Sequence, residues 1–296
     1  MIMIQAKNQS AMEYLTTYGW AILIIAIVLG ALFELGVFSG SAFVPTVNPG
    51  SCIVQRPYGP GTTEQISLQG TCNNGLPKYV SMITDGYVEI NSESKSSMLN
   101  LTTNNITITA WVYVNGSQST SQSQDVIDRE NSYGMELHCN PSSGNCGLEA
   151  SLGYNFNQYG SFPMHKWVFL AISSQDNHIY WYINGTQVGT ETVSDPIITP
   201  TFYDTYIGCD MGSGGCPNDG IDGYISNVQV YNTMLSSNGI SALYAEGIGG
   251  DPIDLHGLLA WWPLNGNGND YSGNGNNGNA VNMVYLTDWE SNYQHP

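Results

Sequence analysis

The chain has 296 residues, of which 24 are acidic and six are Lys or Arg, for a formal charge of −18 at pH 7. That balance argues against nucleic-acid binding, because so few cations cannot neutralise a run of phosphates. A hydrophobic share of 42% excludes a disordered acidic tail, and 34 glycines with 19 tyrosines point to a turn-rich β protein. The charge suits a hard cation better than an anionic ligand.

Residues 1–8 form a short leader with one charge, Lys7. Residues 14–33 follow without a charged side chain, bounded by Glu13 and Glu34. Twenty helical residues span about 30 Å, the thickness of a bilayer core, so a hydrophobic helix is expected over residues 9–44. Tyr18 and Trp20 fit an interfacial aromatic belt. A plain membrane anchor is the simplest use of such a segment.

The string Gln9-Ser10-Ala11-Met12-Glu13-Tyr14-Leu15-Thr16-Thr17-Tyr18-Gly19-Trp20-Ala21-Ile22 resembles the class III signal peptide of archaeal type IV pilin-like proteins. The resemblance implies cleavage between Asn8 and Gln9 by a membrane peptidase that leaves the helix on the mature subunit. Asn8 stands where the family prefers a small residue. Glu13 becomes the fifth mature residue, where pilins carry a glutamate. A carboxylate near a membrane helix end is costly. Pairing with the freed amino terminus of a neighbouring subunit removes the penalty, so Glu13 is assigned to assembly.

Residues 45–75 read as a linker with the first strands, and 76–296 as one β domain. Six cysteines, at 52, 72, 139, 146, 209 and 216, allow 15 connectivities. Proximity suggests Cys52–Cys72, Cys139–Cys146 and Cys209–Cys216, with turn-forming residues inside the last two pairs. Without a CxxC, disulfides and an oxidising location are expected rather than zinc. Four sequons follow the hydrophobic segment, at Asn100, Asn105, Asn115 and Asn184, and offer glycosylation sites.

Period-two alternation marks strands at residues 87–90, 106–114, 167–172, 179–183 and 224–231. Asn184-Gly185 predicts a tight hairpin returning through Thr186-Gln187-Val188. A short helix is expected over 236–246. Many short strands imply an all-β sandwich or jelly roll.

Five strings carry a further resemblance: Asp85-Gly86-Tyr87-Val88-Glu89-Ile90, Ile108-Thr109-Ala110-Trp111-Val112, His165-Lys166-Trp167-Val168, Tyr180-Trp181-Tyr182-Ile183-Asn184-Gly185 and Gly223–Asn232 followed by Leu235-Ser236. In this order they resemble the laminin-G-like, concanavalin A-like jelly roll. The string from Leu258-Leu259-Ala260-Trp261-Trp262-Pro263 to Gly278 usually opens such a domain, yet here it lies near residue 296. A circular permutation that returns the strand to its own sheet is the first account. Insertion into a neighbouring subunit is the second, and a truncated second domain the third.

Two oxygen-rich, glycine-containing loops, 218–223 and 270–276, lie near each other in the resembled family and often hold a structural calcium there. Asp270, Asp222, Asp219 and Asn274 are the candidate ligands. Ordinary Asx turns are the competing reading. Trp111, Trp167 and Trp181 are expected in the core; adjacent Trp261 and Trp262 must face opposite sides of a strand. The acidic run Asp125-Val-Ile-Asp128-Arg-Glu130 reads as a loop in which Arg129 pairs a neighbouring acid. Catalytic residues are not expected. The expected role is a structural subunit of a type IV pilus-like surface filament, partnered by its own copies and by the membrane before assembly, with a lectin-like head for glycans. A membrane-anchored monomeric lectin and, more weakly, a surface glycoside-active enzyme are the alternatives.

Overall fold

The structure is a computed structural model that describes residues 18–29, 77–82, 86–91, 98–116, 123–153, 155–193, 198, 201, 203–210, 220–255 and 257–296. Residues 18–29 form a helix, α1, whose side chains are exposed throughout. The remainder of the expected 9–44 helix lies outside the described residues. Among the described residues no helix is long and apolar enough to cross a membrane. The helix and the β domain belong to separate compact units.

The domain is a sandwich of two antiparallel sheets. One sheet runs β10 (Thr186–Thr192), β9 (His178–Ile183), β8 (Trp167–Gln175), β3 (Ile106–Val114), β12 (Gly223–Tyr231), β1 (Val80–Met82) and β15 (Val284–Leu286). β13 (Leu258–Trp262) joins it beside β12. The second sheet runs β14 (Asn279–Val281), β2 (Tyr87–Ile90), β11 (Thr205–Ile207), β4 (Ser123–Arg129), β5 (Tyr133–Asn140), β6 (Asn145–Leu152) and β7 (Asn155–Pro163).

Alternation along each strand explains the layers. Ile106, Ile108, Ala110 and Val112 of β3 meet Met135, Leu137, Leu148 and Ala150 of the other sheet in the inter-sheet core. The intervening β3 residues, Trp111 and Tyr113, face outward into a second buried cluster with Phe169, Tyr182, Tyr231 and Trp289. That outer face is covered by α2 (Ser237–Glu246), which contributes Ile240 and Leu243. Ser236 caps the helix by accepting from the Gly239 amide at 3.2 Å. The expected tight hairpin is present: Asn184 and Gly185 adopt φ of 49° and 72°, as a type I′ turn requires.

The displaced strand pairs within its own chain. One edge of β12 carries β3; the other is shared by β1 at Tyr224–Ile225 and β13 at Val228–Tyr231. Between them Asn227, at φ 53°, forms a bulge. Its side chain locks the junction, accepting from Trp261 Nε1 at 2.7 Å and donating to the Gly250 carbonyl at 2.8 Å. Trp262 is fully buried in the inter-sheet core and Trp261 is half-buried on the opposite face, as adjacency demands.

Candidate functional site

The largest departure from the sequence reading lies between residues 123 and 163. That stretch forms a four-stranded meander, β4 to β7. Its outward face is polar and acidic. Asp125 and Asp128 therefore lie in a strand rather than a loop, and Glu130 begins the turn that follows it. A bulge between Asp125 and Ile127 changes the pleat phase. Asp125 then pairs opposite Glu136 and Asp128 opposite Gly134, which sets both acids on the outer face. Arg129 points inward, fully buried, donating to Thr205 Oγ1 at 3.2 Å and the Thr201 carbonyl at 3.1 Å.

Two clusters occupy this face. In the first, Asp128, Glu130 and Asp210 bring carboxylate oxygens within 4.8 Å of one another. Asp128 is 9% exposed. Burial, then the charges of Asp210, Glu130 and Glu136, push its carboxyl well above the usual range. Glu130 is raised by burial and by Asp210. In the second, Glu136 on β5 lies directly opposite Glu149 on β6, and His138 follows two residues along β5. His138 Nε2 stands 3.0 Å from Glu149 Oε2 and 3.4 Å from Glu136 Oε1. Contact with the Glu149 carboxylate raises the imidazole pKa despite the opposing effect of burial. Aromatic rings flank the clusters: Tyr206 pairs opposite Asp128 on one side, within 6.1 Å of Tyr87, and Phe156 on β7, 59% exposed, stands on the other.

The expected calcium loops are not joined. Asp270 Oδ1 accepts from the amides of Trp261 at 3.0 Å and Ser272 at 2.8 Å, and Oδ2 from Ser272 Oγ at 2.9 Å and the Asn276 amide at 2.8 Å. Four hydrogen bonds from its own loop and strand therefore occupy this carboxylate. Asn274 Nδ2 donates to the Leu258 and Leu259 carbonyls at 2.9 and 3.0 Å, so this loop ties down β13. Asp222 sits at the other end of β12. Its amide donates to Gln124 Oε1 at 2.9 Å, and its carbonyl accepts from Asn115 at 2.7 Å. Seven residues of strand separate Asp222 from Gln229, the partner of Trp261, roughly 20 Å at strand rise. The structure does not bring Asp222 and Asp270 together, and Asp219 lies outside the described residues.

Cys139 and Cys146 form a disulfide across the β5–β6 hairpin, and Cys209 is disulfide-bonded and buried. Cys52, Cys72 and Cys216 fall outside the described residues, as do Asn8, Gln9 and Glu13. Of the sequon asparagines, Asn184 is exposed while Asn100, Asn105 and Asn115 are half-buried. The Asn184 carboxamide oxygen accepts from the Phe169 amide at 3.0 Å, and that of Asn100 from Thr201 at 3.0 Å. Trp181 lies in the inter-sheet core, and Trp111 and Trp167 in the second cluster.

Glu136, His138 and Glu149 are among the site residues that sequence reading missed, with Asp210, Tyr206 and Phe156. For Glu136 and His138 the signal was present as alternation in Tyr133-Gly-Met-Glu-Leu-His-Cys-Asn, where apolar and polar residues interchange up to the disulfide cysteine.

No curated protein matches this chain. Among solved structures, a suggested carbohydrate-binding protein from Bacteroides ovatus aligns with a TM-score of 0.57 at 15% identity, covering 74% of this chain and 62% of that one. The chain thus spans under two thirds of that relative. A heptameric SAP-like pentraxin from Limulus polyphemus aligns at 14% identity over 54% of this chain and 82% of its own, with a TM-score of 0.42. Residues 84–241, more than half of the chain, match the family Laminin_G_3. With two antiparallel sheets in jelly-roll arrangement behind that match, the chain belongs to the concanavalin A-like lectin/glucanases superfamily.

Proposed function

We propose that this protein is a subunit of a type IV pilus-like surface filament whose jelly-roll head binds glycans. The observation that carries the binding role is the outer face of β4 to β7. Its carboxylates can each accept two sugar hydroxyls, and exposed Phe156 and the Tyr87–Tyr206 pair offer apolar faces at either side. The filament role is supported by the exposed apolar side chains of α1, including Trp20, Ile22 and Ile27, together with the pilin-like string around Glu13. Such a helix needs a partner surface, in lipid before assembly and among its own copies afterwards. The location follows as a membrane-inserted precursor and then an extracellular filament.

Three measurements test the reading. Mass spectrometry of the mature chain is expected to find Gln9 at the amino terminus; an intact Met1 favours the monomeric anchored lectin. Pelleting of sheared filaments is expected to fail for Glu13→Ala, and an unchanged yield refutes the pairing role. A glycan array is expected to show binding that Phe156→Ala and Glu149→Gln weaken; absence of any binding leaves the head a spacer.

One observation favours a second reading, glycoside hydrolysis. Asp128 has the raised carboxyl of a general acid, and Glu130 and Asp210 lie beside it. Release of reducing ends from glycans, abolished by Asp128→Asn, would support that reading over simple binding.

A further inference from the structure

We propose that Glu136, His138 and Glu149 form a binding site for a first-row transition-metal dication of the zinc class. The register builds the site. Glu136 and Glu149 are direct cross-strand partners, and like charges so placed repel. Among the described residues of the seven strands His138 and Arg129 are the only basic side chains, and Arg129 points inward. Gly147 is the partner of His138 and leaves its side-chain place open. The Gln158 amide fills that place, so that a Cβ at Gly147 would overlap Nε2 of Gln158.

A second observation concerns aim. His138 Nε2 itself is sealed from solvent and is held between the two carboxylates, paired most closely with Glu149. The three ligand atoms all lie within 4.8 Å of one another. Their spacing suits a single ion. Metal–donor bonds of about 2.0–2.1 Å in tetrahedral geometry place donors about 3.3 Å apart. Nε2 lies 3.0 and 3.4 Å from the two carboxylate oxygens. Two carboxylates also balance the dication's charge.

The donor set selects the class of metal. One imidazole with two carboxylates fits zinc-like ions, whereas calcium needs six to eight oxygens. Three protein ligands leave a fourth position open to water or a hydroxyl. The site stands without the glycan reading, because metal binding is measured without any sugar.

The test is calorimetric titration of the full chain in detergent with zinc chloride at pH 7.5, with calcium chloride for comparison. The expected result is one zinc ion per chain, with at least tenfold weaker binding in His138→Gln and in Glu149→Gln. His178→Gln, on the other sheet, should retain the parent affinity. Zinc affinity is expected to fall as the pH is lowered, as protons compete for Nε2. Circular dichroism of each variant separates loss of the site from loss of fold, and zinc-induced shifts of the His138 ring resonances in the parent chain report the site directly. Absence of zinc binding, or binding that survives both substitutions, overturns the proposal and leaves an ion pair only.

Discussion

Replacing Asp270 by Asn separates a loop hub from a calcium ligand. The carboxylate accepts four hydrogen bonds, two on each oxygen. An amide keeps one acceptor oxygen and turns an NH2 toward two donors, so two bonds are lost in either orientation. At about 1–1.5 kcal/mol each in this half-buried loop, the variant should lose about 2–3 kcal/mol. For a domain of this size that lowers the thermal midpoint by roughly 5–10 °C. The assay is calorimetric melting of parent and variant, each in excess calcium and in excess chelator. The expected deficit is the same in both conditions. If calcium raises the parent midpoint by several degrees and leaves Asp270→Asn unmoved, the hub argument fails and Asp270 is a ligand.

Trp262→Ala should cost about 3–5 kcal/mol by emptying the inter-sheet core. Its thermal midpoint should not depend on protein concentration, whereas a strand donated between subunits would make it rise with concentration. Removing the hairpin disulfide by Cys139→Ser with Cys146→Ser should cost about 2 kcal/mol, the entropy of a short closed loop, read by urea denaturation. The outer-face groups give stability a defined pH trend. Asp128 and Glu130 are raised by burial and neighbouring carboxylates, and His138 by Glu149, so all three bind protons more tightly when folded. Their contribution is present at acid pH. It is lost as pH rises above about 4 through the folded pKa of the carboxyls, and above about 6.5 through that of the imidazole. Asp128→Asn should therefore raise the melting temperature at pH 8 relative to the parent and flatten the slope between pH 5 and 8. A parent chain equally stable at both ends refutes this reading.

Strands with strict alternation were legible in the sequence. β3, β8, β9 and β12 bury one apolar set between the sheets and a second, aromatic set beneath α2, so their β-branched and aromatic runs are dense. Most of the meander from β4 to β7 hides behind small and polar residues, and only β5 alternates clearly. Asp125 and Asp128 share a face only through a bulge, and no local pattern announces an inserted residue. Glycines opposite polar residues on this sheet, Gly134 facing Asp128 and Gly147 facing His138, also weaken the strand signal. The calcium expectation came from loop composition and from the resembled family, in which the two loops lie near each other. Oxygen-rich loops suit a cation and their own backbone amides equally well, and Asp270 is committed to the amides.

The shared edge of β12 has a consequence for biogenesis. β1 near the start of the domain holds only the Tyr224–Ile225 part of that edge, and the Val228–Tyr231 part waits for residues 258–262. Contacts such as Ser81 Oγ to the Leu264 carbonyl bridge 183 positions. Such separation slows folding. Until the ribosome has released that late segment, the growing polypeptide carries an open ladder of unpaired amides beside an unfilled slot for Trp262, a surface that invites aggregation. Premature termination before residue 258 would thus yield sticky, unfinished heads rather than shorter working ones.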